Sequence, residues 1–168
     1  MSITRDDVAR AAVQLERDGR AFYLEVAAKT ENDLTQKMFA SLADDELDHI
    51  AWIKEMLPGV DTASAANRRL YQRLRPIFAD LPEAKLRKVA ASKDDVEAIN
   101  VAIGIEKESV AAYEKWQDEV EAQDVKKVCN VLAGIERFHV QVLSNTLEYF
   151  EHTPDWFMQE EQWNFEGA

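Results

Sequence analysis

The apolar residues of this sequence recur at intervals of three and four positions rather than two. In the first segment Val8, Ala12, Leu15, Phe22 and Val26 follow this spacing, and three later segments repeat it. Such a period places apolar side chains along one face of a helix, whereas alternation would indicate a strand. The spacing therefore predicts four long helices. They are expected at residues 5–30, 33–57, 93–120 and 124–152.

The ends of the predicted helices carry matching local signals. The sequences TRDD (4–7) and SKDD (92–95) each place a hydroxyl side chain three residues before an acidic one. This is close to the capping-box pattern at the start of a helix. Short polar breaks lie at 30–33 and 121–124. Residues 58–92 contain three of the four prolines and are read as a long connection, in which LPEAKLRKVA is the best candidate for a short helix.

Four helices joined by two short turns and one long crossover predict an all-α fold, the ferritin-like antiparallel four-helix bundle. We expect the bundle at residues 1–152, with the crossover at 58–92, and an aromatic C-terminal tail at 153–168. The tail is too apolar to remain in water, so it is expected to pack on the bundle or across a dimer, or to dock on a partner such as a protein shell. Its large apolar residues are Trp156, Phe157, Met158, Trp163 and Phe165.

The second half of the chain resembles the first at an offset of ninety residues. LERDGRAFY (15–23) aligns with IEKESVAAY (105–113), and LADDELDH (42–49) aligns with LAGIERFH (132–139). Identity is sparse, but the retained residues include a glutamate, a tyrosine and a Glu-x-x-His motif. This pattern is typical of a duplicated helical hairpin.

Six polar residues interrupt the apolar helix faces. Glu16 and Glu46 are thirty residues apart with a polar break midway between them, and Glu106 and Glu136 repeat this relationship. Residues equidistant from the turn of an antiparallel hairpin lie at the same height, here about 21 Å from the turn. Each histidine follows its glutamate by three residues and so shares its helix face. The candidate metal ligands are Glu16, Glu46, His49, Glu106, Glu136 and His139.

Six such side chains inside one bundle call for cations, because buried unpaired carboxylates are strongly unfavourable. Four carboxylates balance two divalent ions, and two glutamates with two Glu-x-x-His motifs match the known pattern of di-iron and di-manganese bundles. Oxygen and imidazole donors favour iron or manganese over a structural zinc site. One Glu-x-x-His could be ordinary helix-surface chemistry, but its repetition with matched upstream glutamates makes that explanation poor.

With these motifs the chain resembles the ferritin-like domain of the rubrerythrin family over residues 5–152. The resemblance implies that the six residues hold two iron ions, with manganese or zinc possible, and that Glu46 and Glu136 bridge or chelate them. It implies a non-haem di-iron oxidoreductase that reduces hydrogen peroxide or dioxygen while ferrous ions are oxidised. Such an enzyme would be a di-iron peroxidase or a ferroxidase.

The sequence departs from the rubrerythrin pattern at two points. A further metal-binding glutamate is usual one turn after the third-helix ligand, where this chain has Ser109, matched by Gly19 in the first half. These small residues either leave space for the oxidant or allow close helix packing. The paired Cys-x-x-Cys motifs of a rubredoxin domain are missing, so an external electron donor such as a separate rubredoxin-like protein is expected.

Two other functions stay open at this point. The first is iron oxidation and storage as in bacterioferritin, which uses a similar set of ligands but with a wider spacing and a shorter crossover. The second is a non-enzymatic metal-binding module. The reaction of the ferrous form with an oxidant separates these possibilities.

Composition limits the possible binding partners and the cellular location of the protein. A net charge of −12 opposes nucleic-acid binding, which needs clustered Lys and Arg. The start of the chain lacks a signal-peptide pattern, and no run approaches about 18 apolar residues, so we expect a cytoplasmic protein away from the membrane. Cys129 is the single cysteine, which fits a reducing compartment and a buried apolar role. The resemblance and the aromatic tail favour a homodimer.

Three further kinds of residue could assist the cluster. Tyr23 and Tyr113 each follow a candidate ligand by seven residues, and they either donate hydrogen bonds to ligand carboxylates or fill the core. Asp45 and Asp48 neighbour a candidate histidine but are expected to be solvated surface. His152 lacks a glutamate three residues earlier and is expected to be exposed.

Overall fold

A computed structural model of the chain describes residues 3–62 and 94–165, with side chains in the second range as far as residue 151. All regular structure in these ranges is helical. The helices are α1 (Arg5–Lys29), α2 (Asp33–Met56), α3 (Asp95–Glu119) and α4 (Gln123–Phe165). The four predicted helices are therefore confirmed. The short helix expected within the crossover lies outside the described residues.

Side-chain caps fix where the helices begin. Thr4 and Asp7 form the predicted capping box at the start of α1, and the Asn32 side chain accepts from the backbone N–H groups of two residues in α2. At α3 the cap is Asp94, whose carboxylate accepts from the Glu97 N–H at 3.0 Å. The expectation that the SKDD sequence caps α3 through its serine was wrong, because the helix begins two residues later, with Asp94 as its cap.

Contacts between helix ends set the direction of each helix. The Arg5 Nε donates to Asp124 Oδ2 at 2.7 Å, which joins the start of α1 to the start of α4. At the other end of α1, the Thr30 hydroxyl donates to Asp95 Oδ1 at 2.6 Å, at the start of α3. Helix α1 is thus antiparallel to α3 and parallel to α4. Helix α2 therefore ends at one end of the bundle and α3 begins at the other, which is the ferritin-like arrangement expected from the sequence.

The apolar core is divided in two by a layer of polar side chains. One cluster packs around Trp116 and Tyr113, close to the ends of the bundle where α1 and α4 begin. The other packs around Tyr23 and Phe39, nearer the α1–α2 turn. The polar side chains between them lie in the middle of the bundle, far from both ends.

The last helix is longer than the sequence suggested. Helix α4 continues to Phe165, beyond the expected end at residue 152, and Pro154 lies within it. Good helix formers such as Met158 and Glu160 follow the proline. The expected packing of the aromatic tail concerns side chains outside the described part. None of the helices in the described ranges has the length and apolarity to cross a membrane.

Candidate metal centre

The structure brings together all six side chains singled out in the sequence. Each of the four helices contributes, and every one of these residues is at most 7% exposed. Helices α1 and α3 each supply one glutamate, while α2 and α4 each supply one Glu-x-x-His motif. The residues are Glu16, Glu46, His49, Glu106, Glu136 and His139.

These residues form two overlapping groups, each able to hold a metal ion. The first group is Glu16, Glu46, His49 and Glu136, and the second is Glu46, Glu106, Glu136 and His139. In each group, one donor atom from every residue lies within 4.8 Å of the others. Glu46 and Glu136 belong to both groups, so the geometry suits two ions side by side with two shared carboxylates.

Both imidazole rings direct Nδ1 towards the carboxylates. The Nδ1 of His49 lies 2.9 Å from Glu16 Oε2 and 3.3 Å from Glu46 Oε2. The Nδ1 of His139 lies 3.0 Å from Glu136 Oε2 and 3.3 Å from Glu106 Oε1. The two rings stack with centroids 5.5 Å apart and planes 18° apart. One nitrogen of each ring therefore faces the cluster, and the other faces away from it.

Burial and like charge govern the ionisation of the cluster. Burial, and then the charge of neighbouring carboxylates, raise the pKa of Glu16 and Glu46 well above the ordinary value. Burial also raises the pKa of Glu136. For His139 burial lowers the pKa, but the close carboxylates of Glu106 and Glu136 outweigh burial and raise the pKa to about 11. Without a cation the cluster must take up protons to balance its charge.

Buried polar atoms without a hydrogen-bond partner indicate that the cluster suits metal ions. Glu46 Oε2, both carboxylate oxygens of Glu136 and the Nδ1 of His139 are buried without a hydrogen-bond partner in the described part of the chain. The 3.0 Å approach of His139 to Glu136 does not have the geometry of a hydrogen bond. Buried polar atoms are rarely left unpaired. Two divalent cations would satisfy these lone pairs and balance four carboxylates.

Two tyrosines hold the outer glutamates from the opposite hairpin. The Tyr23 hydroxyl donates to Glu106 Oε1 at 2.6 Å, and the Tyr113 hydroxyl donates to Glu16 Oε1. Both tyrosines are fully buried. Burial and the charge of Glu106 raise the pKa of Tyr23, so this hydroxyl keeps its proton and remains a donor. Both roles considered for these tyrosines are found, because the hydroxyls bond to the cluster while the rings pack in the two apolar cores.

Of the two small residues noted one turn after Glu16 and Glu106, Gly19 lies against the cluster. A methyl group on Gly19 would stand 3.1 Å from Glu46 Oε1, so this glycine allows the carboxylate to approach the α1 backbone closely. Ser109 is buried, and its hydroxyl donates to the Ile105 carbonyl of its own helix at 3.2 Å. Close packing is thus the role that the structure supports for Gly19.

Asp45 makes a contact with the cluster that the sequence did not predict. Its Oδ2 lies 3.6 Å from His139 Nε2, although its side chain is 49% exposed. We expected the Asp45 side chain to be solvated. The alternative was that it would orient His49, which lies on the same helix. The contact instead crosses from α2 to α4. Sequence spacing gives no signal for it, because it depends on how the two helices are rotated against each other.

The fold and the cluster define a class, the ferritin-like four-helix bundles with a buried carboxylate–histidine site able to hold metal. Comparison with known proteins gives the family. The family model described as Rubrerythrin matches residues 7–147, and the chain belongs to the rubrerythrin family. A hypothetical protein from Pyrococcus furiosus shares the fold, with a TM-score of 0.58 and 20% identity over 86% of this chain and 88% of its own. No curated protein matches the sequence.

Proposed function

We propose that this protein binds two iron ions and reduces hydrogen peroxide or dioxygen as ferrous iron is oxidised. The observation that carries the proposal is the pair of overlapping ligand groups that share Glu46 and Glu136. A single buried ion would need only one such group. Two adjacent groups suit a reaction that requires two electrons at one place.

Six residues are assigned as the ligands. Glu16 and His49 would complete the first ion position, Glu106 and His139 would complete the second, and the two shared glutamates would be available to bridge or chelate both ions. The four carboxylates are hard donors and the two imidazoles are intermediate ones. This combination suits iron, with manganese or zinc as possible substitutes. When bound, two ferrous ions would supply the two electrons that, together with two protons from solvent, convert one hydrogen peroxide molecule into two waters.

The protein contributes geometry and exclusion of water. Tyr23 and Tyr113 hold the carboxylates of Glu106 and Glu16 by hydrogen bonds from protonated hydroxyls. The apolar clusters above and below the layer keep solvent from the ligands. A dry site of this kind strengthens the electrostatic interactions of the carboxylates with the ions.

Anaerobic titration with Fe²⁺ followed by rapid mixing tests the proposal. We expect two Fe²⁺ per chain and oxidation of the ferrous protein by peroxide faster than by dioxygen. Glu46→Gln removes a carboxylate from both groups and should abolish stoichiometric binding. Glu55→Gln is the matched control, because Glu55 is exposed on the same helix. Binding unaltered by Glu46→Gln would contradict the proposal.

Ferroxidase activity with iron storage is the alternative outcome of the same experiment. Faster oxidation by dioxygen, together with a large hollow assembly in solution, would identify it. Absence of any reaction with either oxidant, despite stoichiometric metal binding, would identify a non-enzymatic metal-binding module.

The remaining proposals concern partners. We assign re-reduction of the ferric ions to a separate electron donor, such as a rubredoxin-like protein, and we propose a cytoplasmic homodimer. Light scattering during gel filtration measures the assembly, and reduction of the oxidised protein by an added rubredoxin measures the electron transfer.

A further inference from the structure

The imidazole of His139 lies between the metal cluster and an outer carboxylate. Its Nδ1 faces Glu106 and Glu136 at 3.3 and 3.0 Å. Its Nε2 faces Asp45 Oδ2 at 3.6 Å. The ring is buried, whereas Asp45 reaches it from a half-exposed position on α2. The two nitrogens of this ring therefore meet carboxylates on opposite sides.

The other histidine lacks this arrangement. In the described part of the chain, the carboxylates within ion-pair distance of His49 all approach its Nδ1. At the ninety-residue offset of the repeat, the counterpart of Asp45 is Ile135, which is partly buried and packs against the apolar core. The two halves of the cluster are alike in their six inner side chains and differ at this outer position.

An outer carboxylate alters a histidine ligand in two ways. By accepting a hydrogen bond from Nε2–H it selects the tautomer whose Nδ1 lone pair is free, and it fixes the ring orientation. It also increases the basicity of Nδ1 towards a metal ion. The present separation is an ion-pair contact, and a movement of about 0.5 Å by the Asp45 side chain brings it to hydrogen-bond length.

We propose that Asp45 is a positioning residue for His139 and makes the two ion positions inequivalent. The position formed by Glu46, Glu106, Glu136 and His139 binds a divalent ion more tightly and fills first. The position that contains His49 binds more weakly and fills second. This inference rests on the proposed metal-binding function, and it adds an order of binding to it.

Calorimetric titration of the metal-free protein with Co²⁺ under anaerobic conditions tests the order of binding. Wild-type protein should show two steps whose dissociation constants differ by about tenfold or more. His49→Ala keeps all four ligands of the ion position next to Asp45. His139→Ala keeps all four ligands of the other ion position. We expect the remaining site of His49→Ala to bind about tenfold more tightly than that of His139→Ala.

Removal of the outer carboxylate should abolish this difference. In Asp45→Ala the tighter step weakens about tenfold and approaches the weaker one, and adding Asp45→Ala to His139→Ala causes no further loss. Asp48→Ala is the matched control, because Asp48 carries the same charge on the exposed side of the same helix. It should leave both steps unchanged. Equal thermal unfolding of the two metal-free variants excludes a general loss of structure.

The outcomes distinguish a failure of this inference from a failure of the proposed metal-binding function. Equal affinities in the two single-histidine variants, or equal effects of Asp45→Ala and Asp48→Ala, would overturn the role of Asp45 while two ions still bind. Failure of the wild-type protein to bind Co²⁺ and Fe²⁺ at all would overturn the proposed function as well.

Discussion

The Tyr23 hydroxyl on α1 donates a hydrogen bond to Glu106 on α3 at 2.6 Å, across eighty-three positions of sequence. Tyr113 on α3 donates in return to Glu16 on α1. Each hairpin therefore holds the outer carboxylate of the other. This reciprocal pairing follows from the antiparallel packing of α1 against α3. The tyrosine seven residues after the glutamate of one helix lies level with the glutamate of the other helix.

Tyr23→Phe should weaken the half of the cluster that contains Glu106. The ring still fills the core, but the buried carboxylate loses its donor, at a cost of about 1–3 kcal/mol in the free energy of unfolding. Urea unfolding of the metal-free protein measures this, and metal titration should show weaker binding at one of two positions. Tyr149→Phe, on a partly exposed tyrosine of α4, is the control. Equal effects of the two changes would contradict the assigned role.

Gly19→Ala should weaken both ion positions. The added methyl group would lie 3.1 Å from Glu46 Oε1, and Glu46 belongs to both ligand groups. Gly134→Ala is the matched control, because that helical glycine has open space around it. The control should stabilise the protein by up to about 1 kcal/mol, since alanine favours a helix more than glycine does. Metal titration and thermal unfolding of both variants check this. Full metal affinity in Gly19→Ala would show that the carboxylate can move aside freely.

The metal-free protein should become less stable as the pH rises. The raised pKa values of Glu16, Glu46 and Glu136 mean that the folded state binds more protons than the unfolded state above about pH 4.3, the ordinary pKa of glutamate. His139, with a pKa raised to about 11, acts in the same direction above about pH 6.5. Thermal unfolding should therefore occur at lower temperature at pH 8 than at pH 5.5.

Metal should reverse this pH dependence. Bound cations replace protons on the carboxylates and imidazoles, so metal affinity increases with pH. The difference in melting temperature between metal-loaded and metal-free protein should be larger at pH 8 than at pH 5.5. A metal-free protein most stable at pH 8 would contradict the assigned ionisation of the cluster.

Glu136→Gln should remove metal binding and stabilise the metal-free fold. The substitution keeps the shape but removes a buried group that must either ionise in apolar surroundings or take up a proton. At pH 8 we expect the free energy of unfolding to rise by on the order of 1 kcal/mol. Denaturant unfolding measures this gain. Glu114→Gln, on an exposed glutamate of α3, should give no such gain, and a loss of stability in Glu136→Gln would argue against the cost assigned to the carboxylate.

Cys129 should be unreactive in the folded protein. It is buried, and burial raises the pKa of its thiol to about 12, so almost none is thiolate at neutral pH. A thiol reagent such as Ellman's reagent should modify it only after unfolding. Fast modification of the native protein would show that this part of the core opens readily.

The sequence by itself determined the four helices and the six clustered residues. Helical periodicity identifies the inward faces, and the equal distances of Glu16 and Glu46 from their turn fix a common height, because rise per residue is constant. The duplicated second half repeats this relationship with Glu106 and Glu136. These features depend on position along single helices and hairpins, which the order of residues specifies directly.

Tertiary structure decided the contacts between hairpins and the ends of two helices. Donation from Tyr23 to Glu106, and the approach of Asp45 to His139, depend on the direction and rotation of helices far apart in sequence. The capping of α3 by Asp94 and the extension of α4 beyond residue 152 also differ from what the sequence predicted. Several neighbouring residues can begin or end a helix, and the sequence pattern does not choose among them. Periodicity is the same for every such arrangement, and only packing selects among them.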